Sequence, residues 1–232
     1  MNVALDFTAI LNDQYLHYFL TGIQNTIALF VLTWLVAFPL AVLLTVIRSS
    51  GIRPLSWLIA LYVEYHRNVP LLVQLLFWYF GISSLFPDGL NDFINQHNTE
   101  FIFALLALVL YTAAYMSEDM RSGLRAISKT QFEAARAIGF GFVQTMTYAI
   151  LPQVWRLSLP PLVNQTLILF KGTSLAASIG VAELTFQARQ IESITFRVFE
   201  SFFVVSLLYL AGSLTLMFAG SWLAQRYKLR TR

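Results

Sequence analysis

Long apolar runs, each about as long as a bilayer-spanning helix, follow one another along this chain of 232 residues. A transmembrane helix needs about 20 mostly apolar residues. Five stretches that are nearly free of charge predict spans at roughly 20–47, 57–82, 101–118, 160–182 and 201–224. The runs are continuous rather than alternating, which excludes a transmembrane β-barrel. We therefore predict an all-α integral membrane protein in which residues 1–232 form one transmembrane domain.

The composition agrees with lipid as the solvent for much of the chain. Charged residues make up 12% of the sequence, about half the share that is usual in soluble domains. The absence of cysteine excludes disulfides and thiol-ligated metal, and the three histidines lack metal-ligand spacing. Basic residues stand near the ends of apolar runs rather than in one patch, so we expect no nucleic-acid partner. Residues 1–16 contain no Lys or Arg, and we expect no cleavable signal peptide.

The distribution of basic residues decides how a sixth uncharged stretch, Ala137–Trp155, should be interpreted. This stretch is rich in Gly, Gln and Thr and makes a weak span. With five spans, one face of the membrane receives eleven basic residues: Arg48, Arg53, Arg121, Arg125, Lys129, Arg136, Arg156, Arg226, Lys228, Arg230 and Arg232. The positive-inside rule puts that face in the cytoplasm. We predict an outside N-terminus, a cytoplasmic C-terminus and a cytoplasmic loop at about 119–158 between helices 3 and 4.

The cytoplasmic loop contains a short amphipathic pattern. Residues Thr130–Ile138 place apolar positions at helical spacing, and we expect Gly139 and Gly141 to end this helix and Pro152 to stop the segment that follows. A helix–Gly–helix on the membrane surface could dock in a groove of a partner. It could equally be a surface hairpin without a partner.

Six of these loop residues resemble a known motif. Glu133, Ala134 and Ala135, then Gly139, then Leu151 and Pro152 match the EAA loop of ABC importer permeases in order and spacing. Permeases for polar amino acids resemble the chain most, since the segments 20–26, 62–74 and 171–180 are similar to their signatures. The resemblance implies a multi-pass subunit in the bacterial inner (plasma) membrane, with the EAA loop as a coupling helix seated in a cytoplasmic ABC ATPase.

The same resemblance implies further partners and assigns the cofactor elsewhere. We expect a second permease subunit, either another copy or a paralogue, and an extracytoplasmic solute-binding protein. ATP and Mg would be held by the ATPase, with no cofactor in this chain. The segment Gly123–Thr130 approaches a P-loop, but Ser128 replaces the second glycine and a membrane helix precedes it instead of a strand. We therefore expect a transport subunit rather than an enzyme.

Two polar stripes interrupt the apolar spans. Charged residues inside a membrane usually face the interior of a helix bundle. In the second span Glu64 and Arg67 share a helix face that Gln74 would continue, and Pro70 predicts a break at 68–70. In the fourth span the stripe consists of Lys171, Ser174 and Ser178.

We interpret both stripes as lining the substrate path, where Glu64 could accept an amino acid's ammonium and Lys171 or Arg67 could bind its carboxylate. Two alternatives remain at this stage: Glu64 and Arg67 could pair with each other or lie at the interface, and Lys171 could snorkel.

The same residues bear on two other functional classes, a secondary transporter and a membrane enzyme. A secondary transporter driven by an ion gradient, with Glu64 as the ion site, would need no ATPase. A membrane enzyme lacks support because no nucleophile, base and metal group converge on one face.

Overall fold

The computed structural model describes residues 5–87, 89, 92, 94, 96 and 98–227, and these residues form helices without any strand. We number the helices α1 (Asp13–Ser49), α2 (Arg53–Asn68), α3 (Leu71–Leu76), α4 (Thr99–Arg125), α5 (Lys129–Ala137), α6 (Leu151–Gly172), α7 (Leu184–Thr195) and α8 (Val198–Arg226). The all-α membrane architecture is confirmed. Part of the segment before α4 and the basic tail from Lys228 lie outside the described residues.

Three helices among the described residues are each long and apolar enough to cross a bilayer: α1, α4 and α8. Two further segments pass the same test only as bent pairs. Residues 53–68 and 71–85 are bent by 109°, and residues 142–179 and 184–195 by 47°. Helix length and composition among the described residues therefore give three spans, or up to five if each bent pair crosses the membrane once.

The predicted break at 68–70 is confirmed, and a buried amide closes it. Pro70 lacks an N–H and disfavours helical geometry at Val69, which is extended. The Gln74 side chain donates to the carbonyls of His66 and Val69 at 3.0 and 2.7 Å, and its oxygen lies 2.5 Å from the His66 ring. The expectation that Gln74 continues the Glu64 and Arg67 face was wrong, because the 109° bend turns α3 away and buries Gln74.

The second polar stripe is also altered by the backbone. The helix tightens from α to 3₁₀ over Thr173–Ile179 and ends at Gly180, whose φ is +96°. A 3₁₀ helix has three residues per turn, so the α-helical spacing that placed Lys171, Ser174 and Ser178 on one face does not hold. Lys171 and Ser178 are exposed, whereas Ser174 is half-buried.

The segment before α6 is helical, contrary to the expectation that Pro152 stops it. A helical turn at Phe142–Gln144 leads into a π-helical turn at Thr145–Ile150, and α6 follows directly. A proline is tolerated in the first turn of a helix, where its missing N–H has no partner to lose. Most of the stretch Ala137–Trp155 therefore belongs to the helical segment at residues 142–179 and does not form a helix of its own.

Glycines allow close helix contacts in the bundle. A Cβ at Gly123 of α4 would lie 2.2 Å from the Ser158 hydroxyl oxygen of α6. On α8, a Cβ at Gly212 would lie 2.5 Å from the Phe170 ring, and one at Gly220 would lie 2.3 Å from Val163. Small residues allow helices in membranes to approach closely. The α6–α8 contact therefore depends on the absence of side chains at positions 212 and 220.

We predict that Gly212→Val and Gly220→Val each destabilise the protein, since overpacking of a tight contact costs about 1–3 kcal/mol. The measurement is the thermal unfolding midpoint of the purified protein in detergent. Ala211→Val is the matched control, because Ala211 is exposed on the same helix, and it should leave the midpoint unchanged. Equal midpoints for Gly212→Val and Ala211→Val would contradict this packing.

Candidate functional site

Helix α5 carries the Glu-Ala-Ala sequence, and both of its ends are defined by hydrogen bonds. At its start the Ser128 hydroxyl accepts the N–H of Thr130 at 3.3 Å. At its end the N–H of Phe140 donates to the Ala135 carbonyl at 3.1 Å, and the N–H of Gly139 donates to the Arg136 carbonyl at 2.9 Å. These two bonds form a Schellman motif, which requires a left-handed residue. Gly139 supplies it with a φ of +86°.

The inner face of α5 packs on its own chain. Ala135 is buried, and the helix lies against the π-helical turn at 145–150. Beneath it, Ile127, Ile150 and Val154 form a small apolar core to which Phe132 adds its ring. A methyl group at position 135 thus fits where a larger side chain would lift the helix.

The outer face of α5 and the turn after it present an unusual amount of exposed apolar surface. Ile138, Phe142 and Val143 are 71%, 75% and 73% exposed, and Glu133 and Ala134 are exposed beside them in sequence. We call Glu133, Ala134, Ile138, Phe142 and Val143 the coupling face. The three apolar members were not singled out from the sequence, although their position around two glycines outside any predicted span was a usable signal.

Leu151 and Pro152, the last members of the predicted motif, begin α6. Both are exposed. Gln153, the next residue, donates to the Ala149 carbonyl at 2.7 Å and lies 3.4 Å from the Gln131 side-chain oxygen of α5. The motif therefore includes both the short helix and the start of the long helix on which it rests.

The two helix irregularities in the candidate substrate path meet. A Cβ at Gly172, where α6 gives way to 3₁₀ geometry, would lie 3.3 Å from the Leu71 side chain, just after the break between α2 and α3. Lys171 is exposed next to this contact. The hydroxyls of Ser174 and Ser178 donate to carbonyls three residues back, each at 2.7 Å, so the helix itself satisfies them.

The ionic residues at the end of α2 have neighbours other than each other. The Asn68 side chain donates to the Glu64 carboxylate at 3.1 Å. The Arg67 guanidinium lies 5.5 Å from the centre of the Tyr115 ring, and the Tyr115 hydroxyl donates to the Arg67 carbonyl at 3.2 Å. The side chains of Glu64 and Arg67 are exposed and could meet a solute or a second subunit.

Comparison with known proteins decides the family. A model described as "binding-protein-dependent transport system inner membrane component" matches residues 3–229. The chain belongs to this family. It is 35% identical over 228 residues to the probable glutamine ABC transporter permease protein GlnM of Bacillus subtilis, covering 97% of this chain and 98% of that protein. It is 31% identical to the glutamate/aspartate import permease protein GltJ of Escherichia coli K12, covering 94% and 90% respectively.

Solved structures give the same result for the permease fold. A chain from the crystal structure of an amino acid ABC transporter with histidines superimposes with a TM-score of 0.84 at 30% identity, covering 97% of this chain and all of that one. A chain of the MetNI methionine ABC transporter, in an inward-facing conformation, gives a TM-score of 0.74 at 17% identity and shows likeness of fold alone.

Membership of this family establishes that the chain is a multi-pass inner-membrane permease subunit of an ABC transporter. ATP hydrolysis belongs to a separate subunit, so the chain is not an enzyme. Within the chain, the near-match to a P-loop has helix α4 before it rather than a strand. The alternative of an ion-driven secondary transporter is set aside by the same finding.

The permease also contains a buried polar junction that sequence reasoning missed. The carboxylate of Glu183 is fully buried, accepting the Tyr209 hydroxyl at 2.6 Å and the Phe186 N–H at 2.9 Å. On the α1 side, Asn25 donates to the Ala182 carbonyl at 2.8 Å, and the Thr26 hydroxyl accepts the N–H of Leu184 at 3.2 Å.

This junction explains why a glycine stands at position 22 in the α1 segment that resembles the family signature. A Cβ at Gly22 would lie 3.0 Å from the Leu184 Cα. Gly22 therefore allows the close approach of the turn that Thr26 then binds.

We predict that Gly139→Val reduces co-purification of the permease with its ATPase subunit, whereas Gly139→Asn largely preserves it. A β-branched residue is strained at positive φ, by about 1–2 kcal/mol for an L residue, whereas asparagine tolerates this conformation. The predicted effect does not come from a steric clash, because a Cβ at position 139 would have no neighbour within 4 Å. Equal recovery of the ATPase with both variants would show that the Schellman turn has no part in binding the ATPase.

Proposed function

We propose that this permease translocates a polar amino acid, delivered by an extracytoplasmic binding protein, into the cytoplasm at the expense of ATP hydrolysed by its partner. The main support is that nearly the whole chain is similar to permeases named for glutamine, glutamate/aspartate and arginine transport. The solved neighbour at 30% identity is likewise named as an amino acid transporter.

Five spans with the N-terminus outside and the C-terminus in the cytoplasm are part of this proposal. Counting each bent pair as one crossing gives five, and this count puts α5 and the basic ends of α1, α4 and α8 on the same side. A five-helix chain supplies half of a transport pathway, so a second permease, a copy or a paralogue, completes it.

We propose the coupling face as the seat of the ATPase. Exposed apolar groups next to a polar helix are typical of a protein interface. Ile138, Phe142 and Val143 would be buried on docking, and Glu133 would stand at their edge. The packing of Phe132 on Ile150 and Val154 and the contact of Gln131 with Gln153 would transmit movement of α5 to α6, because they join α5 to the helix that begins at Leu151.

The chemistry of the substrate path follows from the groups near the two helix irregularities. Broken helices leave side chains and carbonyls available to a solute at mid-membrane. Glu64 would accept the ammonium group, Arg67 or Lys171 would bind the carboxylate, and Ser174 and Ser178 would line the wall. The buried amide of Gln74 holds the break at which these groups stand.

The proposed cycle uses the two-state character of such a bundle. Closure of the paired ATPases on ATP draws the two α5 helices together, and the permeases open to the outside. The binding protein then releases its amino acid into the path. Hydrolysis separates the ATPases and returns the permeases to the inward-open state.

We predict that deletion of the gene abolishes uptake of one or a few polar amino acids and that this uptake depends on ATP. The measurement is uptake of a panel of labelled amino acids with and without the gene, with either ATP depleted or the proton gradient collapsed. Uptake that follows the gradient would overturn the ATP-driven mechanism. Loss of no amino acid would overturn the substrate class and leave the ABC architecture standing.

We predict that Lys171→Met and Glu64→Gln each reduce uptake at least about tenfold, because a lost charge-assisted contact is worth about 1.5–3 kcal/mol. The matched controls are Arg53→Met and Glu192→Gln, which alter charges away from the path. All four variants are compared for expression level and ATPase co-purification. Unchanged uptake and substrate preference in the first two variants would remove these residues from the path.

A further inference from the structure

An apolar cavity lies where α1 and α8 pass over α6. Its volume is about 460 Å³, which is within the range of about 300–1,000 Å³ that is usual for small-molecule sites. Aromatic and aliphatic side chains from four helices form its wall, among them Trp34, Phe38, Trp155, Val163, Leu216 and Leu223. This cavity is separate from the coupling face and from the two helix irregularities of the substrate path.

The wall of the cavity suits hydrocarbon rather than water. Thr166 supplies the one hydroxyl among the described residues that line it. That hydroxyl donates to the Leu162 carbonyl at 2.8 Å and accepts the Trp34 indole N–H at 3.1 Å. Since a water molecule needs two to four polar partners, the cavity offers water almost nothing to bind.

The length of the cavity suits an acyl chain. From Phe30 to Phe38 it follows α1 for eight residues, or about 12 Å, which approaches the depth of one leaflet of a bilayer core about 30 Å thick. An extended acyl chain can lie along a groove of this length and apolar lining.

Basic side chains stand at one end of the cavity. Leu223 is the last lining residue on α8, and Arg226 and Tyr227 follow it by three and four residues, which places them one turn further on nearly the same face. The Arg226 guanidinium lies 5.3 Å from the centre of the Trp222 ring, at the level where interfacial groups collect. On α6, the exposed Arg156 is adjacent to Trp155 of the wall. Two cations thus flank the mouth.

We propose that this cavity binds one acyl chain of an acidic phospholipid from the cytoplasmic leaflet, with the headgroup phosphate held by Arg226 and Arg156. The lipid would fill the space between α1 and α8 and let these helices move past α6 without opening a void. A second cavity of about 330 Å³ shares Phe30, Val31 and Leu216 with the first. It gives the end of the chain room to extend deeper.

Native mass spectrometry tests the proposal. The full-length permease, with the subunits that co-purify, is reconstituted in vesicles of equal phosphatidylglycerol and phosphatidylcholine and re-extracted in mild detergent. Wild type and Ala211→Trp should each retain about one phospholipid per permease chain, with phosphatidylglycerol preferred on the order of tenfold because both arginines favour an anionic headgroup. Ala211 is exposed on α8 outside both cavities.

The filled-cavity variants Ala219→Trp and Leu216→Trp should lose the retained lipid, since both positions line the wall. In the double variant Arg156→Gln/Arg226→Gln, lipid should remain while the preference for phosphatidylglycerol disappears. Three results would overturn the proposal. The first is retention of lipid by Ala219→Trp and Leu216→Trp at the level of Ala211→Trp, and the second is a wild type that retains no lipid. The third is cross-linking of Ala219→Cys between two permeases, because that result would assign the cavity to a helix of the partner.

Discussion

The hydrogen bonds of the peptide backbone are the constraint on which the rest of this permease depends. In a bilayer core no water is available to bond a free carbonyl or N–H, so irregular backbone is tolerated only where protein groups replace the missing partners. The chain meets this condition twice. Gln74 bonds two carbonyls at the break after α2, and Asn25 and Thr26 bond the turn before α7. The first of these segments borders the proposed path.

A second constraint acts at the membrane surface, where charge is concentrated. Glu118 of α4 contacts Arg48 of α1 at 2.7 Å and Arg125 at 2.8 Å, with Arg121 at 3.2 Å. One carboxylate thus gathers three guanidinium groups and ties the ends of two long helices together. The concentration of arginines at these helix ends agrees with the positive-inside pattern of the sequence.

The sequence predicted what depends on local residue chemistry. Apolar run length gave the helices, Pro70 gave the break, and Gly139 gave the end of α5. It could not give features that depend on contacts between distant segments. The burial of Gln74 follows from a bend angle, the 3₁₀ segment after Gly172 lies against α3, and the Glu183–Tyr209 bond joins residues 26 positions apart. The apolar residues of the coupling face can be read from the sequence, but their exposure to solvent is evident only from the fold.

The junction between α1 and the turn at 182–184 bears on how the chain is made. Ribosomal synthesis delivers Gly22, Asn25 and Thr26 to the membrane more than 150 residues before the turn that they bind. When that turn follows, its carbonyl at Ala182 and its N–H at Leu184 meet partners that α1 already presents. The order of the helices along the gene is therefore also an order of assembly in which the regular helix precedes the irregular one that needs it.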